Sequence, residues 1–349
     1  MNRKTVYHMA LESVDSRYTC EWAEVIPREL AKYDVNVVTL NGDIKEAGVV
    51  TSGAFLNFAA TNIWKNEQTN KLAILFLERK IKNGDHIFFP DAWHPGILQA
   101  KYMAELLDIE VELSGYWHAG SYDPQDFLGK KIKNKDWSFS AERAYFYALD
   151  TNFFATDFHI ELMTNTLGIT DKSSIVRTGQ PHYKLIESIY SDTKRDLILF
   201  PHRISEEKQP EIFRDLVKSL PQYEFIFCQE VTTCKADYHK LLSAAKMVFS
   251  ANLQETLGIS AMEGILADAI PLLPDRLSYS EMYDDGFLYP SDWTESFDSY
   301  TAHKDILISH IIFTMESYDL YFDKLQKQKI DLIKDYLTSK TMFDIICDK

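Results

Sequence analysis

The sequence predicts an α/β protein made of two doubly wound domains facing a cleft, with a helical C-terminal region. Short β-rich runs alternate with longer amphipathic stretches along the whole chain, which is the α/β signature. The alternation breaks around Val176–Pro181, passes through the polar stretch Ser191–Asp196 and then restarts. The 349 residues fit two domains, at about 100–200 residues each.

In the first half, strands are expected at Thr5–Met9, Asn36–Leu40, His86–Pro90, Glu110–Gly115 and Asn152–Ala155. Helices are expected between them at Cys20–Lys32, Asn57–Lys82, His94–Leu107 and Phe158–Leu167. The second half alternates strands Leu197–Pro201, Tyr223–Gln229, Met247–Ser250 and Ile270–Leu273 with helices Glu206–Leu220, Ala236–Ala244 and Thr256–Ala267. A helical region then runs from about Tyr300 to Tyr336. This ordering puts one domain at residues 1–190, a second at 191–315, and C-terminal helices at 316–349 that cross back to the first. Ligands in such folds sit outside the carboxyl ends of the strands.

Composition removes several classes. The 46% apolar and 26% charged content is globular, not disordered or fibrous. With 37 basic and 52 acidic residues the net charge is −15, which argues against coating nucleic acid by bulk charge. Cys20, Cys228, Cys234 and Cys347 form no paired spacing for a zinc ribbon or disulfide framework. Glu12 and Asp15 interrupt any leader core, and apolar runs such as Leu72–Leu77 fall far short of the roughly 20 residues a membrane span needs. The expectation is a cytoplasmic protein without a membrane partner. No two of the 13 glycines are separated by one residue, so the dinucleotide fingerprint is absent. Gly129-Lys130 lacks the upstream glycine of a phosphate loop. A phosphorylated ligand must therefore be held by helix N-termini and cationic side chains.

The richest stretch runs from Ser250 to Pro271. A strand leads into a loop and a helix starting near Thr256, whose free N–H groups and dipole suit a diphosphate, with Thr256 and Leu257 as donor-binding candidates. Gly258 removes a side chain where phosphate would approach the backbone. Glu255 lies at the mouth and Glu263 eight residues on, roughly 12 Å further along the axis. That is too far to share a proton, but suited to hydroxyls at two ends of an elongated ligand. The bland alternative makes Glu255 a helix-start charge and Glu263 an exposed helix residue. A second piece, Leu199–Pro210, places Arg203 and Lys208 where two cations can neutralise a leaving diphosphate. Alternatively, Lys208 pairs with Glu206 or Glu207. A third, Leu113–Gly120, puts His118 at a strand terminus, either as a structural histidine or as a neutral imidazole for a sugar hydroxyl or oxocarbenium-like charge.

Together these stretches resemble the family-four type of retaining glycosyltransferases with the GT-B fold, two Rossmann-like domains. The resemblance is carried by Glu255 and Glu263 with seven residues between them, by Arg203 and Lys208 with four between them, and by His118. It implies that Glu255 contacts the donor sugar, Glu263 the nucleotide ribose and the two cations the donor phosphates, with His118 facing the sugar. It covers about Asp196 to Pro290 well and the first domain in layout only. The loop Leu11–Thr19 lacks the family's glycine pair, and Ala267-Asp268 stands where a small residue and a glycine are usual. The donor implied is a nucleotide-sugar, UDP-linked, with no cofactor or metal required. Asp284-Asp285 beside Gly286 reads as a turn, and the histidines lack ligand spacing.

For the acceptor, Pro274–Tyr283 with Leu288-Tyr289 resembles the tRNA-queuosine mannosyltransferase branch. The Lys, Asn, Ile, Asp, Tyr and Phe usage resembles bacteriophage proteins, whose glycosyltransferases decorate hydroxymethylated DNA pyrimidines. The segment Gly129–Arg143 holds five basic and two acidic residues, and Lys131, Lys133 and Trp137 are candidates to contact phosphates and stack an extruded base. The alternative is a solvated loop with its aromatics in the core. Asp91 and His94, near a strand end, are further acceptor candidates, with Asp91 taking or orienting a hydroxyl proton or simply capping a helix. The competing functions are a non-catalytic nucleotide-sugar or nucleic-acid binding module, a nucleotide-sugar epimerase, and transfer to glycan or tRNA.

Overall fold

The computed structural model describes residues 3–14, 17–43 and 57–347. Asp15, named above in the first loop, lies outside them. The chain divides into two compact units, Met1–His182 with Ser339–Lys349, and Tyr183–Thr338.

The first unit is built on six parallel strands: β1 (Thr5–Met9), β2 (Asn36–Leu40), β3 (His86–Phe89), β4 (Glu112–Tyr116), β5 (Thr151–Phe154) and β6 (Ile175–Arg177). Their order is β2-β1-β3-β4-β5-β6. β3 is buried at every position, as expected of a parallel strand covered on both faces. Tyr7, Met9, Ile87, Phe89 and Leu113 all join one apolar cluster. The helices are α1 (Tyr18–Leu30), α2 (Phe58–Leu77), α3 (Gly96–Leu106), α4 (Phe127–Lys131), α5 (Lys135–Ala148) and α6 (Asp157–Leu167). Thr156 starts α6 by accepting from the His159 N–H, and Gly168, left-handed at φ 68°, stops it.

The second unit has five parallel strands: β7 (Arg195–Phe200), β8 (Glu224–Phe227), β9 (Ala245–Phe249), β10 (Ile270–Pro274) and β11 (Leu288–Tyr289), ordered β11-β10-β9-β7-β8. Its helices are α7 (Tyr183–Ser188), α8 (Pro210–Ser219), α9 (Cys228–Val231), α10 (Lys235–Ala244), α11 (Ile259–Leu266), α12 (Tyr279–Met282), α13 (Phe297–Glu316) and α14 (Phe322–Leu332). Ile198, Phe200, Phe213, Phe249, Tyr289 and Tyr300 belong to its core. One further helix, α15 (Lys340–Cys347), belongs to the first unit, where Tyr33 Oη donates to Asp344 Oδ1 at 2.7 Å.

The expected return of the C-terminal helices to the first unit is seen for Ser339–Lys349 alone. Most of residues 316–349 stays with the second unit, because Asp268 holds Lys329 Nζ at 2.5 Å and Gln326 Nε2 at 2.8 Å. Gln328 adds a bond to the Met282 carbonyl. The expected helix from Glu206 is also broken. Glu206–Lys208 is a 3-10 turn, Gln209 is left-handed at φ 50°, and Pro210 restarts the chain as α8.

Both strand orders reverse once, beside β1 in the first unit and beside β7 in the second. In open parallel sheets ligands bind outside the carboxyl ends at that reversal. The relevant loops follow β1 and β3 in one unit, and β7 and β9 in the other.

Candidate active site

In the second unit the loop after β7 carries Arg203 and Lys208, and the loop after β9 carries Glu255. The turn at Gln209-Pro210 sends Lys208 inward, where it is 6% exposed. Its ammonium donates to the Gln254 carbonyl at 2.5 Å and to Glu255 Oε2 at 3.2 Å. Arg203 takes the other carboxylate, reaching Glu207 Oε1 at 2.6 Å through one terminal nitrogen and 3.0 Å through Nε. The pairing of Lys208 with Glu206 or Glu207, weighed above, is therefore not the observed one. Burial would raise the Glu207 carboxyl, but Ser205 and Arg203 hold it below its ordinary value.

The backbone of the β9 loop is pinned through its carbonyls. Tyr289 Oη donates to Ser250 O at 2.7 Å, Gln209 Nε2 to Ala251 O at 2.6 Å, and Arg276 Nε to Asn252 O at 2.7 Å. A second Arg276 nitrogen reaches Ala251 O at 2.9 Å. Asn252 Nδ2 donates to Tyr279 Oη at 2.9 Å, while its buried Oδ1 accepts nothing among the described residues. Sequence reasoning missed Gln209, Asn252, Arg276 and Tyr279. Their signal is a short polar side chain in the loop and a lone arginine after a strand, which only folding brings together.

Gly258 is left-handed at φ 84° and forms the N-terminal boundary of α11. A Cβ there would lie 2.7 Å from Tyr279 Cε1, so both backbone and space demand glycine. The helix thus begins at Ile259, not Thr256. Thr256 and Leu257 belong to the loop, with Leu257 buried. Glu255 and Glu263 consequently do not share one helix, and the straight axial spacing between them is replaced by a loop plus a turn. Glu263 is buried, not exposed, and accepts from Tyr238 Oη at 2.8 Å. His202 bonds Ser260 Oγ at 3.1 Å, and burial holds its imidazole well below its ordinary value, hence neutral.

In the first unit Asp91 follows β3. Its Oδ2 meets Lys65 Nζ at 2.6 Å and its Oδ1 accepts from the Trp93 N–H at 2.9 Å. It does not cap the next helix, whose N-terminal boundary is Pro95. Burial alone would raise its carboxyl, yet Lys65 and then His118 bring it down to about 2. Such a carboxylate accepts a hydrogen bond from a hydroxyl well but is a weak proton acceptor. His94 is fully engaged instead of facing an acceptor. Its Nδ1 accepts from Gly96 N at 3.0 Å and its Nε2 faces Gln68 Oε1 at 3.1 Å. Burial takes it down to about 3.

His118 follows β4. Its Nε2 donates to the Pro90 carbonyl at 2.7 Å, and the ring lies among Tyr18, Trp22 and Tyr116 at 4.9–5.1 Å. Burial pushes it to about 4 despite Asp91, so the imidazole is neutral at pH 7. The segment from 129 to 143 is not a loop: it spans the end of α4, a short connection and most of α5, which Asn134 caps through Asp136 N. Lys131 and Lys133 are exposed, Phe139 packs on the first core, and Trp137 is half exposed with its ring 6.5 Å from Trp93. Among the described residues, no three His, Cys, Asp or Glu side chains are grouped to hold a metal ion. No described helix is long and apolar enough to cross a membrane.

No family model matches the sequence. Among solved structures, sucrose-phosphate synthase from Thermosynechococcus elongatus is similar with a TM-score of 0.63 and 11% identity, over 98% of each chain. WaaG, a glycosyltransferase involved in lipopolysaccharide biosynthesis, aligns with a TM-score of 0.59 and 13% identity over 98% of this chain and 99% of its own. S. aureus TarM, in a complex containing UDP, aligns at 0.53 and 13% identity over 81% of this chain. The match spans only 59% of TarM's length. At these identities the likeness defines the fold: the chain has the GT-B architecture of glycosyltransferases.

Proposed function

We propose that this chain is a retaining glycosyltransferase that moves a sugar from a nucleotide-sugar, UDP-linked, to a hydroxyl acceptor. The observation that carries the reading is the convergence of Lys208, Glu255 and the glycine-bounded start of α11 where the second sheet reverses. Lys208, Arg203 and the first N–H groups of α11 neutralise the diphosphate as the anomeric C–O bond breaks. Glu255, one-fifth exposed, keeps an oxygen for a sugar hydroxyl while sharing Lys208. Glu263 is assigned the ribose and neutral His118 the sugar side of the first unit. The departing phosphate oxygen takes the proton of the incoming hydroxyl on the same face. The sugar is thus delivered with retained configuration, nucleoside diphosphate is the second product, and no metal is required. The likeness to TarM, whose complex contains UDP, supports the choice of nucleotide.

For the acceptor, half-exposed Trp137, its ring near that of Trp93, whose backbone N–H donates to Asp91, favours a ring-bearing hydroxyl compound. A hydroxymethylated pyrimidine of nucleic acid, as in phage DNA, is the finer reading, with Lys131 and Lys133 meeting its phosphates. Four free cysteines fit a cytoplasmic setting. The test is a donor screen against hydroxymethylated DNA, plain DNA, tRNA and simple glycans, read by mass shift. Transfer that persists unchanged in both Lys208→Ala and Glu255→Ala contradicts the assignment, as does an absolute need for added Mn²⁺ or Mg²⁺ after chelation.

A further inference from the structure

We infer that Glu142 is a positioning residue for the acceptor side of the first unit, a carboxyl whose proton closes a hydrogen-bond chain joining the loop after β3 to the loop after β4. Its functional meaning rests on the glycosyltransferase reading; its chemistry does not.

Glu142 projects from α5 and is 0% exposed. Its Oε1 accepts from the Trp93 indole N–H at 3.1 Å and from the Ser121 backbone N–H at 2.5 Å. Trp93 lies two residues beyond Asp91, and Ser121 three beyond His118, so one carboxyl ties both loops. Its Oε2 lies 2.8 Å from Ser121 Oγ, which is also 2.8 Å from Ser138 Oγ. Ser138 in turn donates to the Lys135 carbonyl at 3.3 Å. Among the described residues no cation forms an ion pair with Glu142. Lys135 Nζ is directed to the carbonyls of Ser121 at 2.9 Å and Gly129 at 2.6 Å.

The proton count is decisive. Ser138 gives its single hydroxyl proton to Lys135 O, so Ser121 must give its own to Ser138. The remaining bond, between Ser121 Oγ and Glu142 Oε2, then has a donor only if Glu142 carries a proton. When Glu142 ionises, Ser121 turns its hydroxyl to the carboxylate and the bond to Ser138 loses its donor, unless Ser138 abandons the Lys135 carbonyl. Either way one bond in the chain is lost, and the two loops are held less firmly.

The surroundings agree. Burial pushes the carboxyl up to about 7, with the Ser121 and Trp93 bonds and the more distant Lys135 charge offsetting only part. The other groups facing it keep their charge across neutrality. Tyr122 and Tyr145 are raised by burial and stay neutral, and Asp91, which acts on both, stays anionic. His159, bonded to Tyr122 Oη at 2.6 Å, is lowered by burial to about 3 and stays neutral. Glu142 is the group here that changes charge near pH 7.

The test is the indole N–H resonance of Trp93 in the full chain, assigned with Trp93→Phe and followed from pH 5 to 9. The wild type is expected to titrate with a midpoint near 7, and Glu142→Gln to be flat. Ser138→Ala frees the Ser121 proton for the carboxylate and is expected to move the midpoint to lower pH, a change that a merely structural role leaves untouched. A flat wild-type resonance, an unchanged midpoint in Glu142→Gln, or an unmoved Ser138→Ala overturns the inference. Should Glu142→Gln fail to fold, the other two measurements decide. No donor or acceptor is needed, so absent transfer activity counts against the proposed function and a flat resonance against this inference alone.

Discussion

At the residue scale, the balance between burial and partner decides what each titratable group can do. Asp91 is partly exposed and kept ionised by Lys65, whereas Glu142 is fully enclosed, lacks an ion-pair partner among the described residues and is pushed up to about 7. The consequence for stability has a definite sign. Glu142 rises from 4.5 in the open chain to about 7 in the fold, so the folded state binds the extra proton between those values. Its stabilisation is complete below about 4.5 and is lost as pH rises through about 7, an amount of about 3 kcal/mol. Denaturant titrations of wild type and Glu142→Gln at pH 5 and pH 8 should therefore differ in their pH dependence by this order. Equal slopes in the two proteins would refute it. None of this was legible in the sequence, where Glu142 counted only as an acidic residue diluting a basic stretch.

At the element scale, alternating patterning located most strands and helices, because parallel strands buried on both faces read as short apolar runs. It failed where single residues redirect the chain. Gly258 delays the start of α11, Gln209-Pro210 cuts the expected helix after Lys208, and the three-residue β6 is too short to show a period. Asp268 illustrates a departure with a reason. It occupies a left-handed position, φ 58°, where glycine is the easier residue, and its carboxylate anchors α14 in return. The meeting of Lys208 and Glu255 was legible because loop residues at fixed offsets from strand ends come together at a sheet reversal. Arg276 was not, since it acts by holding the Ala251 and Asn252 carbonyls from another strand's loop. Arg276→Gln is expected to lower transfer efficiency about tenfold, or about 1.4 kcal/mol of transition-state stabilisation, without contacting the donor. Kinetics at saturating acceptor check this, and unchanged kcat/KM for the donor would remove Arg276 from the account.

At the scale of the whole molecule, each unit has its own parallel sheet, core and strand reversal. The residues proposed to hold the donor, Arg203, Lys208, Glu255 and Glu263, all lie within Tyr183–Thr338. That segment, expressed alone, is expected to fold and to bind nucleoside diphosphate, with Lys208→Ala abolishing the binding heat. A folded segment with no nucleotide binding would count against the donor assignment. The chain carries a net charge of −15, and Arg203 and the buried Lys208 already face carboxylates. A phosphate ligand must therefore compete locally, and its binding should weaken with salt.

The central claim is that Lys208 and Glu255 form the working face of a donor site. The most direct test is release of nucleoside diphosphate from UDP-sugars without acceptor, compared among wild type, Lys208→Ala and Glu255→Ala. The account predicts slow hydrolysis by the wild type and a loss on the order of 100-fold in each variant, the scale of removing one charge-stabilising group from a transfer site. Hydrolysis that proceeds equally in all three would contradict it.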